Sequence, residues 1–129
     1  MQVLKQTPNQ MHEAPSSFRA RQDARQRHER EYEVTVNTLG LPEHVAFQAT
    51  PELVHVFATD MNVLAAWLYE QGGTVTVDDL PSGVSVWTLR TQALTDAVVA
   101  GESTCPVLVS VTQVTGEPVM HEIRAAVAS

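Results

Sequence analysis

The chain has 129 residues, 43% of them hydrophobic, with a formal net charge of -7 and a single cysteine. That length accommodates one domain with a core of its own. It excludes an intramolecular disulfide framework, and a Cys-based zinc cage has no second thiol to draw on. The charge is split along the chain. Residues 1–31 carry six basic against four acidic residues, a net of +2, whereas residues 32–129 carry Arg90 and Arg124 against eleven acids, a net of -9. An acidic body repels phosphate, so any nucleic-acid contact has to come from the N-terminal segment.

Residues 1–17 are polar, contain Pro8 and Pro15 and show no hydrophobic period, so disorder is expected there. The first fifteen hold no apolar run that could act as a signal-peptide core, and no later stretch reaches the ~20 apolar residues of a membrane span. With the lone thiol, this points to a reducing, cytoplasmic setting. From Ser17, a possible N-cap, the residues tolerate a helix to about Arg30. Residues 1–30 thus form a charged N-terminal extension, disordered or partly helical, ahead of a single α+β domain at 31–129.

Five of the seven arginines, Arg19, Arg21, Arg25, Arg27 and Arg30, lie in this extension. At about 100° per residue they divide between two helix faces, Arg19, Arg27 and Arg30 on one and Arg21 and Arg25 on the other. Asp23 lies four residues before Arg27, and Glu29 four after Arg25, so each face has its own acid and no unbroken basic stripe remains.

"EYEVTVN" (31–37) alternates cleanly and predicts a half-buried strand at which the domain starts. "LGLPEH" is a turn-rich connection and "VAFQAT" a second short strand. "TPELVHVFATDMNVLAAWLYEQGG" fits either one long helix over 51–71 or a strand followed by a helix. The β-branched alternation of "LVHVF" and the cap signal at Thr59-Asp60 favour a strand at 52–58 and a helix at 60–71 stopped by Gly72.

Two hairpins are expected after that helix. "TVTV" and "GVSVWTLR" flank "DDLPS", and "PVLVSVTQV" and "PVMHEIRAAV" flank "TGE", with a short helix in "ALTDAVVAG" between the pairs. The predicted fold is an antiparallel sheet of about five to seven strands with one main helix packed on one face.

The apolar arc of helix 60–71 is wider than a sheet normally needs. Met61, Leu64, Ala65 and Leu68 would face the sheet, while Val63 and Trp67 lie some 100° or more around, extending the arc to about 200°. Something further must cover Val63 and Trp67: the N-terminal segment, a second copy or another protein. Tryptophan is enriched at the energetic centres of interfaces. Trp87, on a strand apolar on both faces, is expected in the core.

Chemistry-bearing residues are sparse. The histidines, His12, His28, His44, His55 and His121, never fall at the His-x-x-x-His spacing of a helical metal pair. His55 and His121 could share a metal with Asp60 or Glu122 only if their strands were neighbours and the backbone bent, so structural roles are expected. Cys105 has no fixed partner that would lower its thiol pKa. Asp78 and Asp79 suit a hairpin turn better than a magnesium site.

The expected function is that of a small non-enzymatic accessory or regulatory protein acting through protein–protein contact, by self-association or with a partner, at Val63 and Trp67. A nucleic-acid-associated regulator using the five arginines is the alternative, and an enzyme with a pocket near His55, His121 and Cys105 ranks below both. No cofactor, metal or membrane contact is expected.

Overall fold

The computed structural model describes the backbone of residues 9–94 and 105–128, with side chains from residue 17 onward. Helix α1 runs from Asn9 to Leu39 without a break at residue 31. Residues 9–17 are therefore helical, residues 1–8 lie outside the described residues, and the strand expected at 31–37 is the last part of α1. The sequence "EYEVTVN" satisfies two periods at once. His28, Tyr32, Thr35 and Val36, spaced at i, i+4, i+7 and i+8, are buried, whereas Val34, which a strand would place beside Tyr32, is exposed. The helical register wins because it extends a face already begun at His28.

Two short strands follow, β1 (Ala46–Ala49) and β2 (Val54–Ala58), joined through a turn in which Thr50 Oγ1 accepts from the Glu52 and Leu53 amides. Helix α2 spans Met61–Gln71, so the strand-plus-helix form of this region is the one adopted. Asp60 caps it, its carboxylate accepting from the Asn62 amide at 2.9 Å, and Gly72 ends it by donating to the Leu68 carbonyl at 2.8 Å.

Strands β3 (Thr74–Asp79) and β4 (Val84–Gln92) form the first predicted hairpin. Gly73, with φ +123°, passes so close beneath β4 that a Cβ there would lie 2.2 Å from the Arg90 carbonyl oxygen. The short helix expected at "ALTDAVVAG" lies almost wholly outside the described residues. Strand β5 (Pro106–Val114) then enters the sheet.

The second predicted hairpin does not form. "HEIRA" is a short helix, α3 (His121–Ala125), which buries Ile123, and the chain then runs parallel to β3 through a single bridge between Val127 and Val75. The Ala126 carbonyl and Ala128 amide bond to Val75 at 2.9 Å each, which occupies part of the β3 edge.

The sheet has five strands in the order β1-β2-β5-β4-β3. It is mostly antiparallel, but β2 and β5 pair in parallel, a correction to the all-antiparallel expectation. The parallel pair arises because β2 leaves the sheet through α2 before the β3–β4 hairpin brings the chain back.

All three helices cover the same face. Val54 and Val56 of β2, Val107, Val109 and Val111 of β5, Trp87 and Leu89 of β4 and Val75 of β3 form the core beneath them. Alternate residues of the same strands make the other face, against which none of the described helices packs. Among the described residues no helix is long and apolar enough to cross a membrane.

Candidate functional site

Trp67 and Val63 were expected to need cover from beyond the sheet, and α1 supplies it for Trp67 through Tyr32. Trp67 is 1% exposed and Val63 6%. The Trp67 ring stacks on Tyr32 at 5.8 Å between centroids with 9° between planes, and Tyr32 packs on Phe47 of β1 at 4.3 Å. Neither Val63 nor Trp67 offers free surface, so the proposed contact at these two residues has no exposed area from which to form. The buried side of α2 is Val63, Leu64 and Trp67, turned from the expected centre at Met61, Ala65 and Leu68. The less covered part of its apolar arc therefore lies at Ala65, Leu68 and Tyr69, with Tyr69 87% exposed. Together with Met120, Ala125 and Ala126 these line a groove of about 470 Å³.

The open sheet face has a regular layout fixed by register. One row reads Gln48, His55, Leu108, Arg90, Thr74 across the five strands, and the next reads Ala46, Phe57, Ser110, Thr88, Thr76. The third holds Thr112, Val86 and Asp78, and the fourth Val114 and Val84. Phe57 and Val114 are exposed, while Leu108, Val84 and Val86 are half-buried by their neighbours. His55 stacks on Phe57 at 4.1 Å and its Nε2 lies 2.9 Å from Ser110 Oγ. Desolvation lowers the His55 pKa from its ordinary 6.5. Among the described residues, Arg90 and Asp78 are the only charged strand residues on this face.

His55, His121 and Cys105 do not converge. His55 is on the open face, His121 begins α3 and is exposed, and Cys105 is fully buried on the helix-covered side where the chain enters β5. Asp78 and Asp79, successive in β3, point to opposite faces, and Asp79 accepts from Ser85 Oγ at 2.6 Å.

Cys105 has partners that the sequence did not disclose. His28 and Glu31, one turn apart on α1, bring a nitrogen and a carboxylate oxygen to it, so that the three ligand atoms lie within 4.8 Å of one another. His28 is 3% exposed and Cys105 0%. His28 Nδ1 lies 3.0 Å from the Thr50 carbonyl oxygen, which can only accept, so Nδ1 donates to it. The thiol itself points at the His28 carbonyl, 3.8 Å away. Burial pushes the thiol up to about 12, the Glu31 carboxylate adds to the rise, and Arg27 opposes it.

A signal for this group existed in "HERE": His28 and Glu31 are at i, i+3, hence on one helical face. The apparent strand start at Glu31 hid it by dividing the two residues between elements.

The arginines of α1 serve the fold unequally. Arg25 pairs with Glu29 at 3.1 Å, the expected (i, i+4) pair, and also donates to Gln22. Arg21 reaches Glu52 at 3.1 Å in the β1–β2 turn. The Asp23–Arg27 pair is not among the ion pairs of the described residues. Arg27 is half-buried near Cys105, while Arg19 and Arg30 are exposed. No protein-family model, curated protein or solved structure matches the chain.

Proposed function

We propose that this is a small non-enzymatic accessory protein of the reducing, cytoplasmic interior that works as a symmetric pair, the open sheet face of one copy packed on that of a second. The observation that carries this is where the charge is placed. The chain has fifteen acidic residues and a net charge of -7, yet only Asp78 stands on the strands of this face, and Arg90 balances it. Two copies of an acidic protein repel, and among the described strand residues that repulsion is slight on this face, with Glu43 and Asp60 at its rim beside Phe57.

That surface is also self-complementary. A two-fold axis running across the strands, over the row Phe57, Ser110, Thr88 and Thr76, lays each strand antiparallel over its own copy. Arg90 of one copy then stands over Val86 and beside Asp78 of the other, and the symmetry makes the contact twice. Phe57, Leu108, Val86, Val84 and Val114 supply apolar area, while Ser110, Thr88 and Thr112 supply hydroxyls that tolerate either water or a partner.

The patch is roughly 20 Å in each direction from strand spacing and rise, about 400 Å² before its pleat is counted and well below the ~800 Å² per partner of stable complexes. The pair is therefore a reversible, concentration-dependent dimer. A non-enzymatic role is supported by the separation of His55, His121 and Cys105, the side chains from which a catalytic pocket would have been built.

Sedimentation over a concentration series tests the arrangement. The protein should move from monomer to dimer, and Thr88→Glu, which sets two carboxylates against each other on the axis, should leave it monomeric with an unchanged circular-dichroism spectrum. Arg90→Asp alone should also prevent the dimer, and adding Asp78→Arg should restore it. A monomer at every concentration, or a dimer indifferent to Thr88→Glu, overturns the proposal.

A further inference from the structure

We propose that His28, Glu31 and Cys105 form a binding site for a divalent cation of the zinc class, joining α1 to the start of β5. Three kinds of ligand atom, an imidazole nitrogen, a carboxylate oxygen and a sulfur, approach one another within 4.8 Å. Such a set suits a borderline-soft ion: magnesium and calcium take oxygen ligands throughout, whereas zinc accepts nitrogen, oxygen and sulfur together.

The surroundings favour a ligand role. His28 is anchored by its Nδ1 to the Thr50 carbonyl at 3.0 Å, the outer-shell contact that metal-bound histidines typically make, and this leaves Nε2 as the metal-binding nitrogen. The helix sets His28 and Glu31 one turn apart, so one face presents both, and Cys105 meets them from the sheet side. A doubly charged cation with one thiolate, one carboxylate and a neutral imidazole has no net charge, which keeps its burial from being prohibitive.

Bond lengths of about 2.0–2.3 Å around a tetrahedral zinc put its ligand atoms roughly 3.5 Å apart, so the cluster closes by about 1 Å on binding. With His28 held by Thr50, the adjustment falls to Glu31 and Cys105. In the step itself the S–H bond of Cys105 breaks and its proton leaves to solvent. The sulfur electron pair forms the bond to the metal, and no oxidation or reduction occurs. Three protein ligands leave the fourth tetrahedral position for water or a further donor.

The consequence is a mechanical coupling between the N-terminal helix and the central strand. Binding at this site stabilises the assembled form over any form in which α1 has lifted away.

Cobalt is the informative probe, because this chain has one cysteine and a thiolate-to-cobalt charge-transfer band can come from no other residue. Cobalt added to the full-length, chelator-treated protein should give that band, together with the intense visible bands of a tetrahedral site, saturating at one equivalent. Zinc should displace it and raise the melting temperature. Cys105→Ser should abolish the charge-transfer band. Glu31→Gln, at a half-buried helix position, should keep the apo fold by circular dichroism and weaken cobalt binding by at least tenfold, as should His28→Gln. The inference is overturned if the wild-type protein gives no charge-transfer band, or if Glu31→Gln and His28→Gln both bind cobalt as tightly as wild type.

Discussion

On β5, Val107, Val109 and Val111 lie wholly inside the molecule, whereas Leu108, Ser110 and Thr112, each one residue further along, look out from the open face. β4 repeats the contrast with Trp87 and Leu89 against Val86 and Thr88. Both sets favour extended backbone, since β-branched and aromatic residues dominate each. What separates them is the presence of hydroxyls on one side and a layer of helices on the other. Strand-forming tendency and burial are thus carried by different positions of one short sequence, so the open face can change its partners without touching the residues that keep the sheet folded.

That separation can be broken from the covered side at the greatest cost. Trp67→Ala removes the ring stacked on Tyr32 and should lower stability by about 3–5 kcal/mol in urea denaturation. Val86→Ala on the open face should cost less than about 1 kcal/mol in dilute solution. Equal losses would mean that the two faces share the work of folding.

A smaller effect is expected at the seam where α2 turns back into the sheet. Gly73→Ala forces a Cβ against the Arg90 carbonyl at a φ of +123° and should cost about 2 kcal/mol by the same measurement. An unchanged midpoint would show that β3 can shift away from β4 at no cost.

The smallest effect concerns pH and belongs to the open face. Burial lowers the His55 pKa below 6.5, so the unfolded chain takes up its proton first as pH falls. Stability contributed by neutral His55 is present above pH 6.5 and is lost as pH drops through that value towards the lower folded one. Gln48, Leu108, Ser110 and Phe57 surround the ring without charge, and the nearest charged strand residue of the row, Arg90, is two strands away. Between about pH 7.5 and about pH 5.5 the urea midpoint should fall, and less so in His55→Gln. If the variant and the wild type fall equally, other groups carry the dependence.

How much could be read from the chain depended on whether the deciding contact was local. The β2–α2 boundary was legible because Asp60 caps the helix from within the same few residues, and the β3–β4 hairpin because its loop is written between its strands. The C-terminal part of α1 was not, since Tyr32, Val34 and Val36 alternate as a strand would while Tyr32, Thr35 and Val36 continue the helical face begun at His28, and the packing of Tyr32 on Phe47 and Trp67 goes with the helix. The wide apolar arc of α2 was visible, but the segment covering its Trp67 side was not. The cluster around Cys105 was hidden for the same reason: its thiol meets residues of α1 that are far away along the chain.

The parallel pairing of β2 with β5 also bears on how the protein is made. Val54 aligns with Val107, a separation of 53 residues, so the strand central to the sheet joins it after the other four have been synthesised. Until β5 inserts, the β1–β2 and β3–β4 hairpins each present a bare inner edge, and Val54, Val56 and Leu89 lack the neighbours that bury them. Completion waits on a long-range closure and is slow on the scale of local hairpins. From the time residues 46–92 have left the ribosome until β5 inserts, two sticky half-sheets are held out, and in that interval this small protein depends most on a chaperone.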